Sequence, residues 1–267
     1  MSNSPTVTYA GQELFLVEGT LASLHHAASK TRLLEALARH MRDPRAQSGD
    51  SREAAGMHQA LAEETVMYEL SEYDTPVFIA RLDGSLLFGM FDNACALVEG
   101  DRVRAVVAKS GAHLHLHGLI RDADKMMLLP PGADSGPLAR VRSNKRGLWR
   151  LIFGIWIASA LITAIVMHTQ GGFRFGWEGF FFTLAMMLFS AALIRLGEGS
   201  PYQIMPGGDH AQAIFTVYGF ALPAYFDATE GMTWYSGAGT FYAPNAGIAL
   251  EKHQKKCRSL IASEPTP

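Results

Sequence analysis

The stretch LVEGDRVRAVVAKSGAHLHLHGLI, Leu97–Ile120, decides the fold. Its first half alternates Arg102 and Arg104 with Val103, Ala105 and Val107, and its second half alternates His113, His115 and His117 with Leu114 and Leu116. A period of two is the mark of a strand with one face on a core, and Ser110-Gly111 between the halves reads as a turn, so two strands follow one another. On such a strand the three imidazoles share a face at steps of about 6.6–7 Å. Neighbours such as His113 and His115 are therefore the candidate metal ligands, since Zn–N bonds are about 2.0–2.1 Å and two adjacent side chains can converge on one ion. His113 and His117, roughly 13 Å apart by the same rise, cannot share one, so a third ligand has to come from elsewhere, for example His25 or His26. The reading preferred over metal is that Leu114, Leu116 and Leu119 fill a barrel while the imidazoles face water or the helices of the insertion. A pH-responsive contact is the third option.

Working outward, ELFLVEGTLASLHH (13–26) reads as an earlier strand, with Gly19 a bulge or a point of close approach. TRLLEALARHM (31–41) carries Leu33, Leu34, Leu37 and Met41 on a helical stripe, stopped by Asp43-Pro44. DPRAQSGDSREAAG (43–56) is polar and reads as a surface loop, and a second helix is expected over roughly 56–70. In TPVFIARLDGSLLFGMF (75–91), Asp83-Gly84 sits between two apolar runs, a hairpin signal. Phe78, Phe88 and Phe91 lie within those runs and are assigned to the core. Residues 1–147 thus form a mainly β domain of about five short strands, a small, partly open barrel or curled sheet, with a helical insertion at about 30–72.

Beyond it the character of the chain changes. LIFGIWIASALITAIVM, Leu151–Met167, holds no charge, and after a short connector FFFTLAMMLFSAALI, Phe180–Ile194, is also uncharged. Each approaches the ~20 residues that cross a bilayer core of about 30 Å, with Trp149, Trp177, Phe173 and Phe175 where aromatic belts belong. Residues 148–196 are expected to be a transmembrane helical hairpin. Arg140, Arg142, Lys145, Arg146 and Arg150 precede the first run, and the connector has Arg174 as its single basic residue, which orients both termini toward the cytoplasm. Arg195, Lys252, Lys255, Lys256 and Arg258 agree. Gly154/Ala158 and Ala160/Ala164 are small pairs that allow close helix approach, and no charge lies inside either run, which argues against an ion relay.

The remainder, 197–267, is expected to be cytoplasmic and to pack on the N-terminal domain. QAIFTVYGFALPAYF (212–226) is interrupted by Gly219 and Pro223; strand character at Ile214–Tyr218 and an interfacial helix are both open. GMTWYSGAGTFYAPNAGIAL (231–250) suggests a turn and strand over a sheet edge, and ALEKHQKKCRSL (249–260) a short helix.

Over 267 residues, 48% are apolar and 18% charged, lean in charge for a wholly soluble chain, and the net charge of −2 gives no polyanion signal. Cys95 and Cys257 stand far apart with no CxxC, and the N-terminus lacks the pattern of a cleaved signal peptide. GxSxG, GxxxxGK[ST] and HExxH do not occur, and the carboxylate pairs Glu63-Glu64 and Asp122/Asp124 fall on solvated faces or turns. Arg102, Arg104 and Lys109 are too few for a nucleic-acid groove.

The LVEGT, LDG and VEGDRV pieces, joined to two apolar runs and a short tail, resemble a loose group of proteobacterial two-span membrane proteins with an OB-like cytoplasmic domain, effectors or immunity proteins of type VI secretion. The resemblance implies no catalytic residues and no cofactor. The function expected is that of a non-enzymatic bacterial inner-membrane protein whose cytoplasmic domain binds another protein. Its partners are the bilayer and that protein, with homo-oligomerisation open and no nucleic acid. A membrane-permeabilising toxin, and a metal-dependent membrane-bound enzyme or sensor built on His113 and His115, are the alternatives.

Overall fold

Strands that alternate between two apolar environments must be covered on both faces, and this chain does so by closing a barrel and then wrapping it. The structure is a computed structural model that describes residues 5–42, 54–59, 76–111, 113–169, 189–190, 192, 207–236 and 240–262. In chain order β1 (Val7–Tyr9) and β2 (Gln12–Ala27) precede helix α1 (Lys30–Arg42), and then come β3 (Val77–Leu82), β4 (Ser85–Met90), β5 (Arg102–Ser110), β6 (His113–Arg121) and β7 (Met127–Leu128). β2, β3, β4, β6 and β5 pair in that order and β5 pairs back onto β2, a closed five-stranded barrel. Every neighbouring pair in it is antiparallel except β4–β6. This α+β architecture is consistent with the OB-like barrel expected from the sequence.

β2 serves two seams because it is 16 residues long. Leu14–Thr20 pair with β5, and Leu21–Ala27 pair with β3 across a bulge between Ala22 and His25, where Ser23 adopts φ 49°. Gly19 is the point of close approach, not the bulge: a Cβ there would lie 2.6 Å from the Asp83 carboxylate, which accepts from the Thr20 backbone N–H at 3.3 Å. Asp83 and Gly84 both take positive φ, 48° and 86°, as the two-residue turn between β3 and β4 requires.

Alternation splits the side chains among three cores. Val103, Ala105 and Val107 point inward with Leu21, Phe78, Ala80, Leu87, Phe91 and Leu116. On the outer face of β3 and β4, Val77, Ile79 and Phe88 are covered by Leu33 and Leu37 of α1 and by Ala54 and Met57 of a short helical stretch at 54–59. The rest of the expected second helix, and the loop at 43–53, lie outside the described residues.

The third core covers the outer face of β5 and β6, and the C-terminal part of the chain supplies it. Helices α2 (Pro137–Thr169) and α3 (Gly208–Val217) are followed by the hairpin β8 (Met232–Ser236) and β9 (Thr240–Pro244), then α4 (Ala246–Ala262). Ala211, Ile214, Phe215, Phe226 and Ala249 pack against Leu14, Val106, Ala108 and Ile120. The strand considered for Ile214–Tyr218 is therefore a helix, and it lies buried on the barrel instead of at an interface. Gly219 does not interrupt it but ends it. At φ 74° it donates to the Thr216 carbonyl, while Phe220 N–H reaches back to the Phe215 carbonyl at 3.0 Å, and the two phenyl rings stack.

α2 begins within the N-terminal domain and runs through the expected 147/148 boundary as one helix. Along it Trp149, Leu151, Phe153, Trp156, Ile157 and Leu161 are exposed. Among the described residues no helix is long and apolar enough to cross a membrane. The second apolar run lies outside them apart from Phe189, Ser190 and Ala192. Trp156 Nε1 donates to Ser190 Oγ at 2.9 Å, a contact between the two runs. In the small pair Gly154/Ala158, Gly154 is exposed, with nothing within 4 Å of a would-be Cβ among the described residues. The side chains of Ala160 and Ala164 lie outside the described residues.

Candidate functional site: a buried histidine row and an exposed aromatic hairpin

β6 carries a bulge opposite Val106/Val107, and it matters for the histidines. Before it the even-numbered Leu114 and Leu116 face the barrel interior; after it the odd-numbered Leu119 does. One inserted residue reverses the parity of a strand, so His117 and Gly118 both turn outward toward α3. The leucines fill the barrel as expected. The imidazoles, however, do not face water. His113, His115 and His117 are all buried, His117 to 1% exposure beneath His210 of α3.

His117 Nδ1 lies 2.8 Å from Nε2 of His210 on α3, itself 3% exposed. At that separation one nitrogen donates a proton and the other accepts it. The His210 ring stacks on Tyr9 of β1, with centroids 4.5 Å apart and planes within 6°. His115 stands between His117, at 5.0 Å, and Phe88 of the α1-covered core, at 5.9 Å. Burial, with His115 adding to it, pushes His210 down to about 4, so its imidazole is neutral at physiological pH. The row is thus a polar seam between two apolar cores, tied to α3 by the hydrogen bond between His117 and the neutral His210.

Among the described residues, no group of three His, Cys, Asp or Glu side chains is arranged to hold a metal. His25 and His26 do not join the row. His25 pairs with Ile79, Ile79 with Phe88 and Phe88 with His115, which separates them by three strand spacings, roughly 14 Å along the sheet. Asp122 and Asp124 hold the β6–β7 turn through ion pairs, Asp124 with Arg121 at 2.7 Å and Asp122 with Arg104 at 3.6 Å.

A Cys–His contact that the sequence reading did not single out lies on α4. Cys257 Sγ is 3.3 Å from His253 Nε2, but that nitrogen also sits 2.6 Å from the Ala221 carbonyl oxygen. A carbonyl accepts only, so Nε2 carries the proton and cannot take one from the thiol. The pair anchors α4 to the segment after α3, with Phe226 edge-on to the imidazole.

The exposed chemistry is aromatic. β8 and β9 form their own two-stranded sheet, not an added edge strand. One face of this hairpin is fixed to the barrel. Tyr235 and Ala243 join the interior core, and Asn245 Nδ2 donates to the Asp124 carbonyl at 2.8 Å. The opposite face presents Trp234, 69% exposed, directly across from Tyr242, 47% exposed, with ring centroids 5.0 Å apart. Tyr242 also walls a cleft of about 200 Å³ with Phe91, Asn93, Pro131, Asp134 and Thr229. A rigidly held Trp/Tyr pair beside a cleft has the composition of an interaction hot spot. Compared with known proteins, the chain matches no family model, no curated protein and no solved structure.

Proposed function

We propose that the protein is a non-enzymatic, membrane-anchored binding module of a bacterial inner membrane, whose cytoplasmic OB-like domain engages a protein partner through the Trp234–Tyr242 face. The observation that carries the reading is this aromatic pair. It is exposed on a hairpin whose other face is locked into the barrel, so the rings are presented with little ordering cost on binding. The anchoring half rests on the uncharged run Leu151–Met167 and on the large side chains, Phe153 at 68% among them, that α2 leaves uncovered as it departs from the domain. The Trp156–Ser190 hydrogen bond supports packing of the second apolar run against the first. The buried histidines favour a structural over a metal-dependent role, and the resemblance to type VI secretion membrane proteins supports a partner within such a system. The experiment is affinity capture from detergent-solubilised native membranes with the original chain and with Trp234→Ala. A partner retained by the first and lost by the second supports the proposal, whereas equal recovery moves the binding surface elsewhere.

A further inference from the structure

Arg142, Arg146 and Arg150 recur every four residues on α2 and therefore share one stripe, which ends immediately before the uncharged run begins at Leu151. Beside the stripe opens a cleft of about 290 Å³, walled by the three arginines together with Lys256, Tyr225 and Thr229. Two carboxylates also border it, and both are engaged. Glu230 pairs with Lys256, and Asp227 accepts from the backbone N–H of Thr229 at 3.0 Å and from its hydroxyl. Burial pushes the Asp227 carboxyl up despite those bonds, which weakens its claim as a counter-ion. The Arg142 guanidinium lies over the Tyr225 ring, 5.4 Å from its centroid, leaving its N–H edges for another acceptor. Among the described residues none of the three arginines has a carboxylate partner. Like charges four residues apart destabilise a helix; an anion between them reverses that.

We propose that this cleft binds a phosphate-bearing anion, supplied by the headgroup of an anionic phospholipid. The cleft lies at the lower end of the about 300–1,000 Å³ that drug-sized ligands occupy, room for a phosphate together with the headgroup that carries it. The guanidinium fork pairs two N–H donors with two phosphate oxygens, which suits arginine better than lysine to the task. The lipid source rests on the membrane reading above. With Leu151 at the edge of the hydrocarbon, a rise of 1.5 Å per residue puts Arg150 about 1.5 Å, Arg146 about 7.5 Å and Arg142 about 13.5 Å out from it. The headgroup layer on one side is about 5–8 Å deep.

The test uses the full-length chain in a non-ionic detergent, titrated separately with phosphatidylglycerol, with phosphatidylcholine and with inorganic phosphate. The melting temperature is read for the original protein, Arg146→Gln and Lys145→Gln. Lys145 is the charge-matched control, exposed on the same helix but outside the cleft wall. Phosphatidylglycerol is expected to raise the melting temperature saturably, by roughly 5–10 °C at a hundredfold excess over its dissociation constant. Phosphatidylcholine should not. Arg146→Gln should lose at least half of the shift and Lys145→Gln should keep it. An Arg146-dependent shift with inorganic phosphate but none with lipid would retain the anion site and overturn its lipid source. Equal losses in the two variants, or no shift with any probe, would overturn the site itself. The phosphate titration reads the cleft whether or not the chain resides in a membrane, so failure of the anchor and failure of the site are told apart.

Discussion

Replacing His210 by phenylalanine isolates the titration of one buried imidazole. His210 is held down to about 4 by burial and by His115, against an ordinary value of 6.5. Between those two values the unfolded chain binds a proton that the folded chain refuses, so stability falls on acidification. The sign is that of a depressed group: the stabilisation is complete above pH 6.5 and is lost as the pH drops toward 4. A difference of about 2.5 pH units corresponds to about 3 kcal/mol. Phenylalanine keeps a flat ring against Tyr9 but leaves His117 Nδ1 without the 2.8 Å partner. That adds a pH-independent cost of about 1–3 kcal/mol. The prediction therefore concerns slope: amide exchange of 208–217, followed by mass spectrometry from pH 7.5 to 4.5 and corrected for intrinsic rates, should accelerate steeply in the original protein. In His210→Phe the profile should be flatter by about 2–3 kcal/mol across that range, which stops short of pH 4. Parallel profiles in the two proteins would refute the assignment of the titration to His210.

Phe226 is fully buried with Phe215 and Phe220 at 4.6 Å, so Phe226→Ala should cost about 3–5 kcal/mol in denaturant unfolding. Gly136→Ala should be worse tolerated than Gly118→Ala. A Cβ at 136 meets the Pro223 carbonyl oxygen at 2.5 Å, where backbone cannot yield, whereas at 118 it meets the Ile214 Cγ2 methyl at 3.0 Å, a side-chain contact, and melting temperatures of the two variants read the difference. Trp234→Ala should leave stability within about 0.5 kcal/mol, since the indole is largely exposed. Elemental analysis of chain purified without chelators should give far less than one zinc per protein; a full equivalent lost on His115→Ala would restore the metal reading.

The barrel was legible because its signals are local. The alternation of β5, the Asp83-Gly84 turn and the Leu33/Leu37 spacing each state their structure within a few residues. The burial of His117 was not, since the helix that covers it comes some ninety residues later, with His210. A period of two reports which side chains share a face and says nothing about what lies over that face. Strand and helix both stay open for 214–218 in the sequence because glycine punctuates either; the positive φ of Gly219 makes it a helix stop. Trp234 and Tyr242 were visible as aromatic residues in a glycine-rich segment, but only their pairing across β8 and β9 distinguishes them from Tyr235 and Phe241 on the buried side.

The account depends most on α2 leaving the domain for a bilayer. Alkaline carbonate extraction of membranes from cells producing the full-length chain tests that directly. Retention of the protein in the membrane pellet is the predicted result, because the uncharged runs Leu151–Met167 and Phe180–Ile194 would be held by hydrocarbon and not by surface charge. Quantitative release into the supernatant would contradict it, and would require the exposed side chains of α2 to be covered by protein instead.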